Sequence, residues 1–206
     1  MLNLFTAKGT CALACHIALA ESGADYTITR LDFSREQQRQ PDYLAVNPKS
    51  RVPALVTPNG VLTEVPAILA YVALSFPQAR LLPQGDPFAF AEALAFNTYL
   101  CATVHVAHAH RIRGYRWTDD PAAIEALKAK VAQNMSDCFR LIETTMLKGP
   151  WVLGEAYSAC DPYLFTICNW LEGDGVDIAA FPKVSAHYQA MAARPAAKRA
   201  LAELAA

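Results

Sequence analysis

The chain has 206 residues, with 18 basic and 19 acidic side chains and a formal net charge of −1. That length suits one large domain or two small ones and allows a core that needs no disulfide or metal staple. The near-neutral balance, with no basic stripe interleaved with aromatics, argues against a nucleic-acid partner, and no apolar run reaches membrane-spanning length. The six cysteines, at positions 11, 15, 101, 138, 160 and 168, form no Cys-x-x-Cys pair and no zinc-like spacing. They read as the thiols of a reduced, cytoplasmic chain with no metal site.

In chain order, Leu2 to Phe5 reads as a strand. Cys11 to Ser22 carries Leu13, Ile17 and Ala20 at helical spacing, with Gly23 as its stop. This run ends in Ala18-Leu19-Ala20 like a signal cleavage site, but no basic region precedes it, so it belongs to the fold. Tyr26 to Phe33 alternates as a half-buried strand, Ser34 to Gln40 is loop or frayed helix, and Pro41 to Val46 forms a short helical turn. Val52 to Thr57 and Val61 to Thr63 flank the turn signal Pro58-Asn59-Gly60 and read as a hairpin. Pro66 to Phe76 is helical, with proline at a first-turn position where its missing N–H costs nothing.

Pro77 to Pro87 is a Pro-rich, polar break, and everything after it has helical periodicity: Phe88–Arg113, Pro121–Leu147, Ser158–Glu172, Phe181–Ala193 and Ala196–Leu204. The expected architecture is an α/β domain over residues 1–77, a linker over 78–86 and an all-α domain over 87–206. Ser158-Ala159-Cys160-Asp161 carries a capping-box pattern, in which the acid reaches back to the serine N–H while the serine hydroxyl takes the N–H three residues on. That is a folding device.

Three places have the residue types for chemistry. Cys11 sits at a helix start, where free N–H groups and the helix dipole favour a thiolate; the alternative is a buried, inert thiol. Val52-Pro53 is either an edge-strand proline or a cis bond that presents the Val52 N–H and C=O to an extended, peptide-like ligand. Glu64-Val65-Pro66 opens a helix whose N–H groups suit a carboxylate, with Glu64 facing a ligand ammonium or merely complementing the dipole. On the long helix of the second half, His105, His108 and Arg111 share one broad face and read as the polar wall of a cleft. Tyr99, Tyr115 and Trp117 are candidate pocket aromatics. His16 reads as packed or half-exposed, and His187 as surface.

Gly9-Thr10-Cys11 through Glu21-Ser22-Gly23, Val46-Asn47-Pro48, Val52-Pro53-Ala54-Leu55, Leu62-Thr63-Glu64, the Tyr157–Phe165 cap and the closing Met191-Ala192-Ala193-Arg194-Pro195 are co-linear over the whole chain. Together they resemble the glutathione S-transferases, most closely the bacterial beta class. The resemblance implies a thioredoxin-like N-terminal domain holding glutathione as co-substrate and an all-helical domain holding a small hydrophobic electrophile, usually in a homodimer. It implies that Cys11 lies by the glutathione sulfur, that Val52 pairs with the cysteinyl backbone ahead of a cis Pro53, and that Glu64 and the Val65 N–H bind the γ-glutamyl end. It also implies that His105 approaches the thiol from the helical domain. Arg35, Lys49 and Arg51 are candidates for the glycyl carboxylate, and Tyr99, His108, Arg111 and Tyr115 for the electrophile pocket. Two positions depart from the family pattern. Thr6 stands where many members carry a tyrosine, leaving a shorter hydroxyl as candidate thiol donor. Val65 replaces a serine, which removes a bond to a charged group worth about 1.5–3 kcal/mol. The expected activity is conjugation of glutathione to electrophiles. The alternatives are disulfide reduction or peroxidase chemistry through a Cys11 mixed disulfide, and ligand or partner binding without turnover.

Overall fold

The computed structural model describes residues 1–205. The N-terminal part runs β1 (Leu2–Thr6), α1 (Ala12–Ser22), β2 (Tyr26–Arg30), α2 (Pro41–Val46), β3 (Ala54–Thr57), β4 (Gly60–Thr63) and α3 (Val65–Ser75). Its four strands form a mixed sheet in the order β2-β1-β3-β4. β1 and β2 are parallel, and β3 is antiparallel to both β1 and β4, with Leu4 opposite Ile28 on one side and Leu55 on the other. β2 is shorter than its alternating pattern, because the Asp32 side chain accepts from Ser34 N–H and starts a 3-10 turn at Phe33. The hairpin strand begins at Ala54, after a cis Val52-Pro53 bond.

α1 is apolar around its whole circumference because it is covered on both sides. Every residue from Ala12 to Leu19 is buried. Ala14, Cys15, Ala18 and Leu19 pack with the sheet and α3. Leu13 and Ile17 pack with Phe165, Met191 and Ala197 of the helical part. Burying a side chain of that size stabilises by about 1.5–3 kcal/mol, so the helix that carries Cys11 at its start is held by both halves of the molecule. Gly23 ends it at φ 72°, a left-handed position that favours glycine.

The helical part comprises α4 (Pro87–Tyr99), α5 (His105–Arg113), α6 (Pro121–Ala129), α7 (Val131–Leu141), α8 (Cys160–Cys168), α9 (Pro182–Ala193) and α10 (Pro195–Ala205). The expected single helix from Phe88 to Arg113 is continuous but contains one wide turn, Leu100–Val104, between α4 and α5. The expected helix from Pro121 to Leu147 is broken at Lys130 and ends in a second wide turn, Ile142–Met146. The helix expected over Ser158–Glu172 occupies only Cys160–Cys168 and then gives way to turns.

The capping pattern forms, with more partners than a cap needs. Asp161 is fully buried and accepts from Ser158 N–H at 2.6 Å, Ser158 Oγ at 3.0 Å and Val152 N–H at 2.8 Å. The serine oxygen takes the Cys160 N–H, one residue earlier than the motif implies. The last partner of Asp161 is His187 Nε2 at 3.0 Å. His187 is therefore a buried ligand of the cap, which corrects its reading as a surface residue. His16 is likewise fully buried, with Nε2 on Glu203 at 2.7 Å.

Candidate active site

Cys11 is the cap residue of α1, buried at the base of the cleft where the sheet domain meets the helical domain. The loop before it turns at Gly9, where φ is 73°, and is fixed from across the cleft: Trp170 Nε1 donates to the Gly9 carbonyl at 3.1 Å. The Cys11 thiol donates to the Val52 carbonyl at 3.7 Å. One thiol and the backbone of the cis dipeptide thus form a single edge.

The electrostatics of Cys11 differ from the expectation for a helix start. Burial pushes the thiol up to about 12, and the opposing pull of Arg113 and of a backbone hydrogen bond is smaller. Removing a thiolate from water outweighs the dipole here because the site is walled on all sides. Cys11 is a protonated donor at neutral pH.

The third wall is the start of α3. Glu64 has φ 72°, a left-handed backbone that non-glycine residues seldom adopt and that costs about 1–3 kcal/mol. It turns the chain sharply from β4 into α3, so the first N–H groups of the helix, Val65 included, stand without intrahelical partners. The Glu64 carboxylate pairs with Lys49 Nζ at 2.6 Å. The Val65 side chain is buried.

On the helical side, His105 Nε2 lies 3.2 Å from Arg113 Nη2. A guanidinium only donates, so His105 accepts and carries its proton on Nδ1. Burial, then the charges of Arg113, His108, Arg51 and Arg116, push its pKa down to about 3. His105 is therefore neutral, with its Nε2 lone pair occupied by Arg113. Its ring leans on Trp170 at 4.8 Å between centroids, and His108 stacks on the same indole at 4.2 Å.

Several expected pocket residues are placed elsewhere. Thr6 is fully buried with its hydroxyl unpartnered; it ends the interior strand β1, paired to β2, and is enclosed away from solvent. His108 is buried, with Nδ1 at 2.9 and 2.8 Å from the two oxygens of the buried Asp174, and Arg111 Nε lies 3.3 Å from the same carboxylate. These side chains neutralise a buried acid and brace Trp170 instead of lining a pocket. Tyr99 is turned toward Cys138 on α7, with its hydroxyl pushed up by burial first and by that thiol second. Arg35 stands beside Asp32 with its side chain 79% exposed and is not among the groups whose charge reaches Cys11 or His105. Tyr115 is exposed, on the turn Gly114–Arg116 that follows α5. Arg51 is exposed, and its charge is felt at both His105 and Arg113.

Arg113 and Trp170 were not singled out in the sequence. Arg113 lies two helical turns beyond His105, next to the glycine that ends α5, and the His105–Arg113 spacing was the available signal. Trp170 follows the C-terminus of α8, in a stretch expected to be plain helix. Among the described residues no group of three or more metal-ligating side chains gathers, and no helix is long and apolar enough to cross a membrane.

A four-stranded mixed sheet with a cysteine-capped first helix, joined through that helix to an all-α bundle, defines a thioredoxin-like domain fused to a helical one. Residues 1–74 match the family model for the glutathione S-transferase N-terminal domain, and residues 107–203 match that for the C-terminal domain. Glutathione S-transferase GstA of Escherichia coli O157:H7 is 30% identical over 202 residues, covering 97% of each chain. A glutathione transferase homologue from Sulfitobacter, solved with bound glutathione, superposes with a TM-score of 0.95 at 45% identity over 98% of both chains. A bacterial beta class glutathione S-transferase from Sphingomonas chungbukensis superposes with a TM-score of 0.85 at 29% identity, again over 98% of both. The chain belongs to the glutathione S-transferase family.

Proposed function

We propose that the chain binds reduced glutathione along the Cys11–Val52–Glu64 edge and conjugates it to small hydrophobic electrophiles. The observation that carries this reading is the state of Cys11: a protonated thiol, aimed along the cleft at the Val52 carbonyl, with no acid–base partner of its own. Such a group is a poor nucleophile and a suitable hydrogen-bond donor to a second sulfur. In this reading the Cys11 S–H turns from the Val52 carbonyl to the glutathione thiolate, the freed Val52 backbone pairs with the cysteinyl unit, and Glu64 with the Val65 N–H receives the γ-glutamyl end. Arg51 faces the glycyl carboxylate. The thiol proton leaves to solvent, the sulfur bonds the electrophilic carbon, and the leaving group departs with its electron pair. His105 holds Arg113 and does not itself move a proton.

Further parts of the reading are a division of the domains within residues 78–86, a cytoplasmic setting and a homodimer. Support for the dimer comes from Leu74 at the end of α3 and Phe88 at the start of α4, both large, apolar and exposed.

The test is conjugation of a chromogenic aryl halide at millimolar glutathione, run beside reduction of a hydroxyethyl mixed disulfide, on wild type and Cys11→Ala. Conjugation that weakens without Cys11, with little disulfide reduction in either protein, supports the reading. Disulfide reduction that vanishes in Cys11→Ala, without conjugation, replaces it with the redox alternative. A thermal shift series with glutathione covers the binding step, since a ligand of the native state must raise the melting temperature.

A further inference from the structure

Three guanidinium groups bring their charge to His105, and one of them, the half-buried Arg113, also acts on Cys11. Arg51 comes from the loop before β3, Arg113 from the last turn of α5, and Arg116 from the turn that follows. All three add positive charge at His105, and Arg51 and Arg116 also repel Arg113. Elsewhere Arg39 pairs with Glu36, Arg140 with Asp137, Arg194 with Glu21 and Arg199 with Glu203, while Arg30 donates to the Leu204 carbonyl and the exposed Arg80 has no carboxylate partner among the described residues. Among the described residues, Arg51, Arg113 and Arg116 have no carboxylate within ion-pair distance. The carboxylate whose charge does reach Cys11, Glu64, is taken by Lys49. Arg113 is half-buried, spends one donor on the neutral His105, and has a buried Nε–H that no protein atom satisfies. Arg51 and Arg116 are exposed, so the cost falls on Arg113: a half-buried charge facing like charges, with a buried donor left unbonded, is unfavourable unless something negative arrives beside it. The field of such a cleft also draws anions in.

Glutathione brings one anion to this place, its glycyl carboxylate, and Arg51 on the glutathione side is the group positioned for it. Arg113 and Arg116, on the helical side where the second substrate enters, remain uncompensated. We propose that this cleft selects electrophiles carrying a carboxylate beside the reacting ring or double bond, and that Arg113, backed by Arg116, receives that carboxylate. The inference rests on the conjugation reading above and narrows its substrate class from hydrophobic to amphipathic and anionic. His105 becomes a positioning residue: its unprotonated Nε2 accepts from Arg113 Nη2 and holds that guanidinium in place.

The experiment compares 4-fluoro-3-nitrobenzoate with 4-fluoro-3-nitrobenzamide, which differ in charge and little in shape. In both, the glutathione sulfur bonds the fluorine-bearing ring carbon, fluoride leaves with the bonding pair, and the thiol proton goes to buffer. With each kcat/KM divided by the uncatalysed rate, wild type is expected to favour the acid by about tenfold or more, the scale of one charged hydrogen bond. The ratio falls toward one in Arg113→Gln, recovers in part in Arg113→Lys, and declines with added salt in wild type. A merely structural role would lower both substrates together and leave the ratio in place. If Arg113→Gln instead raises KM for glutathione with either electrophile and the acid-to-amide ratio is unchanged, Arg113 reads glutathione's own carboxylate and the inference is overturned.

A binding arm separates this idea from the conjugation reading. Unreactive 3-nitrobenzoate and 3-nitrobenzamide are titrated into wild type with and without S-methylglutathione. Preferential binding of the benzoate, lost in Arg113→Gln, upholds the anion subsite even if no conjugation is found. Equal binding of the two overturns it whatever the turnover.

Discussion

The state of the Cys11 thiol is open to direct measurement. A pKa of about 12 in place of the ordinary 9.0 leaves about a thousandfold less thiolate at neutral pH. A more basic thiolate is intrinsically more nucleophilic, with a Brønsted slope of about 0.4–0.5, which returns roughly 16- to 32-fold. The net expectation is alkylation by iodoacetamide about 30- to 60-fold slower than a model-peptide thiol, before any hindrance of access is counted. Rates are followed in a mass spectrometer by fragmenting the peptide that carries Cys11 and Cys15, which assigns the adduct to one or the other, across pH 6 to 10 on glutathione-free protein. The Cys11 rate should climb about tenfold per pH unit through the whole range without a plateau. Arg113→Gln should slow it further, because the guanidinium is the largest influence opposing burial. A plateau above pH 7 or 8 would mean that the helix start had outweighed desolvation, and it would return Cys11 to the role of nucleophile.

Other consequences are accessible to unfolding measurements. His105 has a folded pKa near 3 against an ordinary 6.5, so below 6.5 the unfolded chain binds a proton that the folded chain refuses. Its contribution is fully present above 6.5 and is lost at about 1.4 kcal/mol per pH unit as pH falls toward 3. By about pH 4.5 wild type should have lost roughly 2–3 kcal/mol more than His105→Gln, relative to about pH 7.5, in urea melts at the two pH values; equal losses would contradict the shift. Asp161→Ala should cost about 3–5 kcal/mol in the same assay, since it strips partners from two buried N–H groups, the Ser158 hydroxyl and the buried His187. Trp170→Phe keeps the stacking surface but removes the bond to Gly9. It should cost about 0.5–1.5 kcal/mol and loosen the Cys11 loop, seen as faster amide exchange at Gly9 and Thr10.

What the sequence made legible was local. Gly9 before Cys11, the alternation of Tyr26 to Phe33, the turn residues between Thr57 and Gly60 and the Ser158–Asp161 pattern each specify backbone geometry within a few residues, and each element formed, the strand over Tyr26–Arg30 only. The misplaced side chains were those decided by distant neighbours. Periodicity put His108 and Arg111 on one face with His105, but only the fold brings Asp174 beneath them, which takes both out of the cleft. His187 looked like a solvent-facing residue on α9 until Asp161 of α8 arrived to accept from it. Cys11 illustrates the same limit in electrostatics: the sequence shows the helix start, whereas the desolvation that overrides it comes from packing of the domains on both sides.

Val65 brings local backbone geometry and packing together at one position of the site. It opens α3 beside the left-handed Glu64, and its backbone N–H is free by its place in the helix. Its side chain, buried and apolar, offers a ligand carboxylate nothing. In the proposed mode the γ-glutamyl carboxylate lies against this helix start, so Val65→Ser places a hydroxyl where the charge is. A bond to a charged group worth about 1.5–3 kcal/mol corresponds to glutathione binding tighter by about tenfold at the lower bound. The variant also forfeits apolar burial, which should lower the unfolding free energy by roughly 1–2 kcal/mol. The two effects have opposite signs in different assays, so calorimetric titration with glutathione and a urea melt distinguish them cleanly. Tighter binding in a less stable protein supports the placement. Lower stability with unchanged affinity would mean that the ligand's carboxylate is not at the α3 start, and the glutathione register along the Cys11–Val52–Glu64 edge would have to be redrawn.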